Sequence, residues 1–177
     1  MQWLIFPLVG ITGGLIFYQD FKTRSVAWIL FPIIAIAGIL YSIYYSGSLS
    51  ILIKNFAINA GFLLLQYFIL KIVFQILKRK ERNQLESIIG IGDILFLMVC
   101  ALFFSLVNFI LFYCMSLLFA LIFHFLFKIS FNKKSYRKTI PLAGFQALFL
   151  FIYIFLNELM NNNLTTDDWI IFYLSKT

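Results

Sequence analysis

Two acidic residues stand where ionisable groups are scarce. Asp20 closes an apolar run that opens near Trp3, and Asp93 opens another at the end of Gly90-Ile91-Gly92-Asp93. An ionisable side chain at the edge of a membrane-like segment is costly and is a functional candidate by default. Two carboxylates brought together share one proton. One then acts as a base on a water molecule while the other donates a hydrogen bond to the carbonyl under attack. That chemistry hydrolyses a peptide bond with no metal, no cofactor and no nucleophilic side chain. Gly90 and Gly92 lead into Asp93 with residues that permit unusual backbone angles and close approach of a substrate chain. Each acid also has a plainer use. Asp93 suits the N-terminal cap of a helix, and Asp20, followed by Lys22 and Arg24, suits a solvated loop. As a pair they titrate together. Helix dipoles favour an anion at the N-terminal end and a protonated acid at the C-terminal end, which makes Asp93 the base and Asp20 the proton carrier.

The elements that must position these acids are membrane helices. Of the 177 residues, 63% are hydrophobic and 12% are charged, against about 45–50% and about 25% in a soluble domain. The apolar runs are long and unbroken, unlike the alternating segments of a β-barrel. The expected fold is therefore all-α, a polytopic membrane helix bundle of about six transmembrane helices. The runs cover about 3–19, 26–45, 51–77 and 140–160, and the stretch 94–127 is long enough for two spans with a tight turn near Ser105 to Asn108. Residues 1–160 form the membrane domain, and 161–177 a polar tail whose patch Trp169-Ile170-Ile171-Phe172-Tyr173-Leu174 suits an interfacial helix. The first run lacks the basic flank and small-residue cleavage site of a signal peptide.

Charge orients the bundle. With both termini outside, the inner loops hold Lys22 and Arg24, then Lys78, Arg79, Lys80 and Arg82, then Lys128, Lys133, Lys134, Arg137 and Lys138, most of the 14 basic residues. This obeys the positive-inside rule, and fusing the two spans of 94–127 would break it. Asp20 and Asp93 then share the cytoplasmic face. The net charge of +7 is accounted for by these loops and their anionic lipid partners, so it is no nucleic-acid footprint. Cys100 and Cys114 both lie in apolar runs and read as buried small side chains, and lone His124 reads as a packing residue; neither forms a metal site. Tyr18, Gln19 and Gln146 are polar groups near helix ends, within reach of the acids or of the interface.

Three segments together resemble the type IV prepilin peptidases. Asp20-Phe21-Lys22-Thr23-Arg24-Ser25-Val26 looks like their first aspartate motif, Gly90-Ile91-Gly92-Asp93 like their Gly-x-Gly-Asp signature, and Ile140-Pro141-Leu142-Ala143-Gly144-Phe145 like the segment opening a late helix. The resemblance covers essentially the whole chain. It implies a multi-pass aspartic endopeptidase of the bacterial inner membrane, with Asp20 and Asp93 catalytic and no cofactor. Its partners would be the prepilin-like precursors of a type IV pilus or protein secretion system, whose short basic leaders it removes at the cytoplasmic face. Glu81 and Glu86 are placed to attract such a leader. The methyltransferase region with paired Cys-x-x-Cys motifs found in larger members is not here, so cleavage without N-methylation is implied. Two positions depart from the family pattern: Leu95 stands where a basic residue is frequent, and Val26-Ala27-Trp28 where Ile-Pro-Asn or similar is frequent. Both bear on substrate choice and activity, and they sustain a rival reading as an inactive scaffold for pilus or secretion assembly. A transporter would require polar groups in mid-span. Asn59, Gln66, Ser105, Asn108 and Ser116 are the chief examples, and none is acidic.

Overall fold

The computed structural model describes residues 2–77, 90–130 and 141–168. These residues are all-helical and contain no strand. α1 spans Gln2–Thr23, α2 Leu30–Ser46, α3 Leu49–Leu77, α4 Ile91–Cys100, α5 Leu106–Ser130 and α6 Leu142–Leu159. Among the described residues three stretches are long and apolar enough to cross a membrane: Leu49–Val73, Leu106–Leu126 and Leu142–Leu159. Large apolar side chains cover the outside of the bundle, as lipid contact demands. On α3 alone Leu64, Leu65, Phe68, Ile69 and Ile72 are exposed.

Local chemistry ends the helices where the runs end. Gly47 adopts φ +65° at the end of α2 and its N–H returns to Ile43 O at 2.9 Å. That left-handed closure is glycine's usual place, and it starts α3 only two residues later. Pro32 and Pro141 sit at the beginnings of α2 and α6, where a missing N–H costs nothing.

α1 and α6 form the most extensive helix pair, antiparallel and close. Small residues allow this. A β-carbon on Gly13 would come within 3.1 Å of Ala147 O, and one on Gly144 within 3.2 Å of Phe17 Cα. Close backbone approach through small residues is the usual route to helix association in lipid. Phe145 anchors the start of α6, its ring 5.7 Å from Phe17 and 6.0 Å from Phe123. α2 and α4 complete the inner layer. α3 stands at the periphery against α2 and α5. Between it and α4 lies an apolar cavity of about 280 Å³, lined by Leu63, Tyr67, Ile94 and Met98 among others.

The stretch 94–127 is indeed broken in two, but its turn falls at 101–105, earlier than Ser105 to Asn108, and Asn108 lies inside α5. α4 has 10 residues, about 15 Å at 1.5 Å per residue. That is about half of a bilayer's hydrocarbon thickness, so α4 cannot cross alone. Residues 161–168 fold back to fill the space it leaves. Leu164 and Thr165 are buried, and Leu164 O accepts the Ser105 N–H at 2.9 Å. Cys100 is buried as expected, whereas Cys114 is exposed on the outer face of α5.

Candidate functional site

Asp20 lies in the last turn of α1 and Asp93 in the first turn of α4. The start of α6 joins them. Gly144 N–H donates to Asp20 Oδ2 at 2.8 Å, and Ala143 N–H donates to Asp93 Oδ1 at 2.9 Å. Two consecutive amides of one helix N-terminus thus hold one oxygen of each carboxylate, and the pair is close enough for the Asp20 charge to act on Asp93. The first amides of a helix have no partner within it and carry its positive end, so they are natural anion holders. Asp93 is not a cap of its own helix: Gly90 takes that position, with no side-chain cap bond.

The pair is unequal in exposure. Asp20 is 8% exposed, whereas Asp93 is half-buried. Both lie at helix ends, outside the long apolar spans. Burial pushes the Asp93 carboxyl up to about 6, and the neighbouring Asp20 charge adds to that shift. Burial raises Asp20 too, but its bond from Gly144 and the charge of Arg24 work against the shift. The α6 N-terminus acts on both acids, so their positions on α1 and α4 alone do not decide which one keeps the proton.

The glycines matter here for space, not for backbone angle. Gly90 has φ −64°, ψ 130°, open to any residue, but a β-carbon on it would stand 3.0 Å from Asp93 Oδ2. Gly144 is confined likewise, 3.2 Å from both Cβ and Oδ2 of Asp20. A β-carbon at Gly92 would meet only Phe31, at 4.0 Å.

The loop after Asp20 is tied to α1. Gln19 Oε1 accepts the Ala27 N–H at 2.8 Å, and Thr23 Oγ1 donates to Gln19 O at 2.8 Å. Gln19 therefore serves the loop, Tyr18 OH bonds to Lys22 Nζ at 3.0 Å, and Gln146 Nε2 donates to Ser116 Oγ at 3.4 Å. Leu95 points outward and is 44% exposed. Glu81 and Glu86 lie outside the described residues. What sequence reasoning missed is the role of Ala143 and Gly144. The segment 140–145 was recognisable, but main-chain donors carry no residue signature, and the one clue was two small residues just after Pro141.

Among the described residues no group of three or more His, Cys, Asp or Glu side chains is placed to hold a metal ion. Compared with protein-family models, curated proteins and solved structures, the chain finds no match.

Proposed function

We propose that the protein is a membrane aspartic endopeptidase that removes the leader peptide of prepilin-like precursors, without N-methylation, at the cytoplasmic face of a bacterial inner membrane. One observation carries the catalytic part: two carboxylates from distant parts of the chain accept hydrogen bonds from adjacent amides of one helix. The resemblance in the three motifs carries the substrate class. In this reading about six helices lie in the membrane, both termini face outside, and α4 reaches only partway from the cytoplasmic side.

The chemistry follows from one shared proton. The ionised carboxylate takes a proton from water as its oxygen bonds to the scissile carbonyl carbon. The protonated carboxyl donates to the carbonyl oxygen, giving a tetrahedral diol. A proton then passes to the amide nitrogen, the C–N bond breaks, and a carboxylic acid and an amine leave.

The test is cleavage of a co-expressed pilin-like precursor by wild type, Asp20→Ala and Asp93→Ala at matched membrane levels. Wild type should cleave, and either substitution should abolish cleavage. Survival of cleavage in either variant would remove the dyad mechanism. The scaffold reading has its own support in exposed Leu95 at a position where the resembled family is frequently basic. It prevails if wild type cleaves no precursor from its own genome. The polar residues a transporter would need are engaged elsewhere: Asn59, Ser105 and Asn108 serve the 101–105 turn, and Gln66 bonds Tyr113.

A further inference from the structure

α3 leans on α2 and α5 and leaves a gap toward α4. The gap is the apolar cavity of about 280 Å³, with Leu63, Tyr67 and Leu70 of α3 and Ile94, Leu97 and Met98 of α4 in its walls. It opens sideways, since Leu64, Tyr67 and Leu70 are exposed on the outside of the bundle. The wall has one polar corner. Gln66 Nε2 donates to the Tyr113 hydroxyl at 2.8 Å, and both residues line the cavity. The hydroxyl proton of Tyr113 has no acceptor among the described residues, which leaves it for a guest that brings an oxygen. An apolar pocket with a few placed polar groups is the usual form of a small-molecule site. A cation marks one mouth. Leu63, Tyr67 and Leu70 follow the spacing of one helix face, and Lys71 continues that face one turn past Tyr67. Lys71 is exposed and has no ion-pair or hydrogen-bond partner among the described residues. Lys54 and Lys71 lie about 26 Å apart along α3 at about 1.5 Å per residue, close to a hydrocarbon core of about 30 Å. That puts Lys71 at headgroup level and the cavity just beneath it, with Gln66 about 8 Å deeper than Lys71 along the axis.

We propose that this cavity binds one anionic phospholipid: an acyl chain fills it, an ester carbonyl accepts the Tyr113 hydroxyl proton, and the phosphate sits on Lys71. Apolar wall, donor and cation match the three parts of such a lipid in order and in depth. Charge chooses among the occupants an apolar groove could take. A basic leader of the kind the resemblance implies would meet like charge at this mouth, whereas a phosphate is drawn to it. The segment 78–89 lies outside the described residues, but its sequence sets Lys78, Arg79, Lys80 and Arg82 against Glu81 and Glu86, which leaves it net positive. Asp93, beside Ile94 in sequence, is turned instead to α6, where the Ala143 N–H holds it. The lipid site is separate from the paired acids and does not rest on the peptidase reading.

The test takes the whole chain from detergent micelles into native mass spectrometry, with phosphatidylglycerol or phosphatidylcholine of the same acyl chains added at equal concentration. One phosphatidylglycerol should be retained per protein, in clear preference to phosphatidylcholine. Lys71→Gln, a change at an exposed position, should weaken phosphatidylglycerol about fivefold and leave phosphatidylcholine as it was. Tyr113→Phe should weaken both lipids alike, and Leu97→Trp, which fills the cavity, should abolish retention. A phosphatidylglycerol with a diazirine in mid-chain then reports the place. Its adducts should concentrate on residues 63–70 and 94–98 and disappear from them in Leu97→Trp. If Leu97→Trp does not fold, Lys71→Gln and the wild-type adduct map decide alone. Asp20→Ala should bind as wild type does, whatever it does to cleavage. Adducts spread over every exposed apolar face, or equal retention of the two lipids that Lys71→Gln leaves unchanged, would mean ordinary solvation by lipid and overturn the site. Displacement of the diazirine lipid by a precursor peptide would overturn it too, and make the cavity a peptide groove.

Discussion

The two ends of the bundle use polar groups in opposite directions. At the dyad end, backbone amides donate to side-chain carboxylates. At the far end, side-chain amides donate to backbone carbonyls. Asn59 Nδ2 serves Ala101 O at 3.1 Å and Phe104 O at 2.8 Å. Asn108 Nδ2 serves Leu164 O at 3.2 Å and Thr166 O at 3.0 Å. Asn55 Nδ2 serves Thr165 O at 2.9 Å. The far end is a repair: a turn and a returning segment expose carbonyls in an apolar setting, and neutral amides cover them. The dyad end is an investment in charge, since a neutral residue at either acid would satisfy the fold at less cost. Polar residues that complete the backbone speak for structure. Acids that the backbone is bent to hold speak for chemistry.

That contrast can be broken by substitution. The largest effect is expected from Asp20→Ala or Asp93→Ala, with precursor cleavage down by at least about a thousandfold at unchanged insertion, read by immunoblot of precursor and mature product. Asn59→Leu should do the reverse. It leaves two buried carbonyls bare and should cost about 2 kcal/mol of stability, seen in detergent thermal unfolding, while cleavage per folded molecule stays within about twofold. Loss of activity without loss of stability in Asn59→Leu would blur the two regions. Gly144→Ala should touch both the dyad and the α1–α6 contact. Its new methyl would press on Asp20 and on the Phe17 backbone and shift the amide that holds Asp20, reducing kcat about ten- to a hundredfold, with a melting temperature lower by about a few degrees.

The smallest effect sharpens the claim that the acids are costly. The folded-state pKa of Asp93 is raised from 3.8 to about 6. Between these values the folded protein keeps a proton that the unfolded chain has lost, so this group's contribution to stability falls as pH rises through that window. Asp93→Asn should therefore melt a few degrees above wild type near pH 7.5, and the difference should vanish near pH 4. An equal difference at both pH values would mean that the Asp93 charge is not the cause.

Much of the fold was legible because lipid imposes simple rules. The helices follow the apolar runs closely, extending slightly beyond them in α1 and α3. The break inside 94–127 was demanded by length and charge, yet its place was misjudged by a few residues. Ala101-Leu102-Phe103-Phe104-Ser105 has no glycine or proline to announce a turn; Asn59 and Leu164, remote in sequence, fix it. The site was half legible. Asp20 and Asp93 stood out as acids at the ends of apolar runs, because charge is rare there. Their holder did not, because any residue but proline supplies an N–H. Which acid keeps the proton was left open by the sequence for the same reason: helix ends were visible, but α6 lying against both acids was not.

The returning segment has a consequence for how the chain is made. Ser105 and its partner Leu164 are separated by 59 positions, and synthesis runs from the first to the second. While the ribosome is still adding α6, the 101–105 turn is already in the membrane, with Ser105 and Asn108 waiting for carbonyls that do not yet exist. The far end of the bundle is therefore closed only by residues made after Met160, whereas everything that holds the two acids, up to Gly144, is made before them.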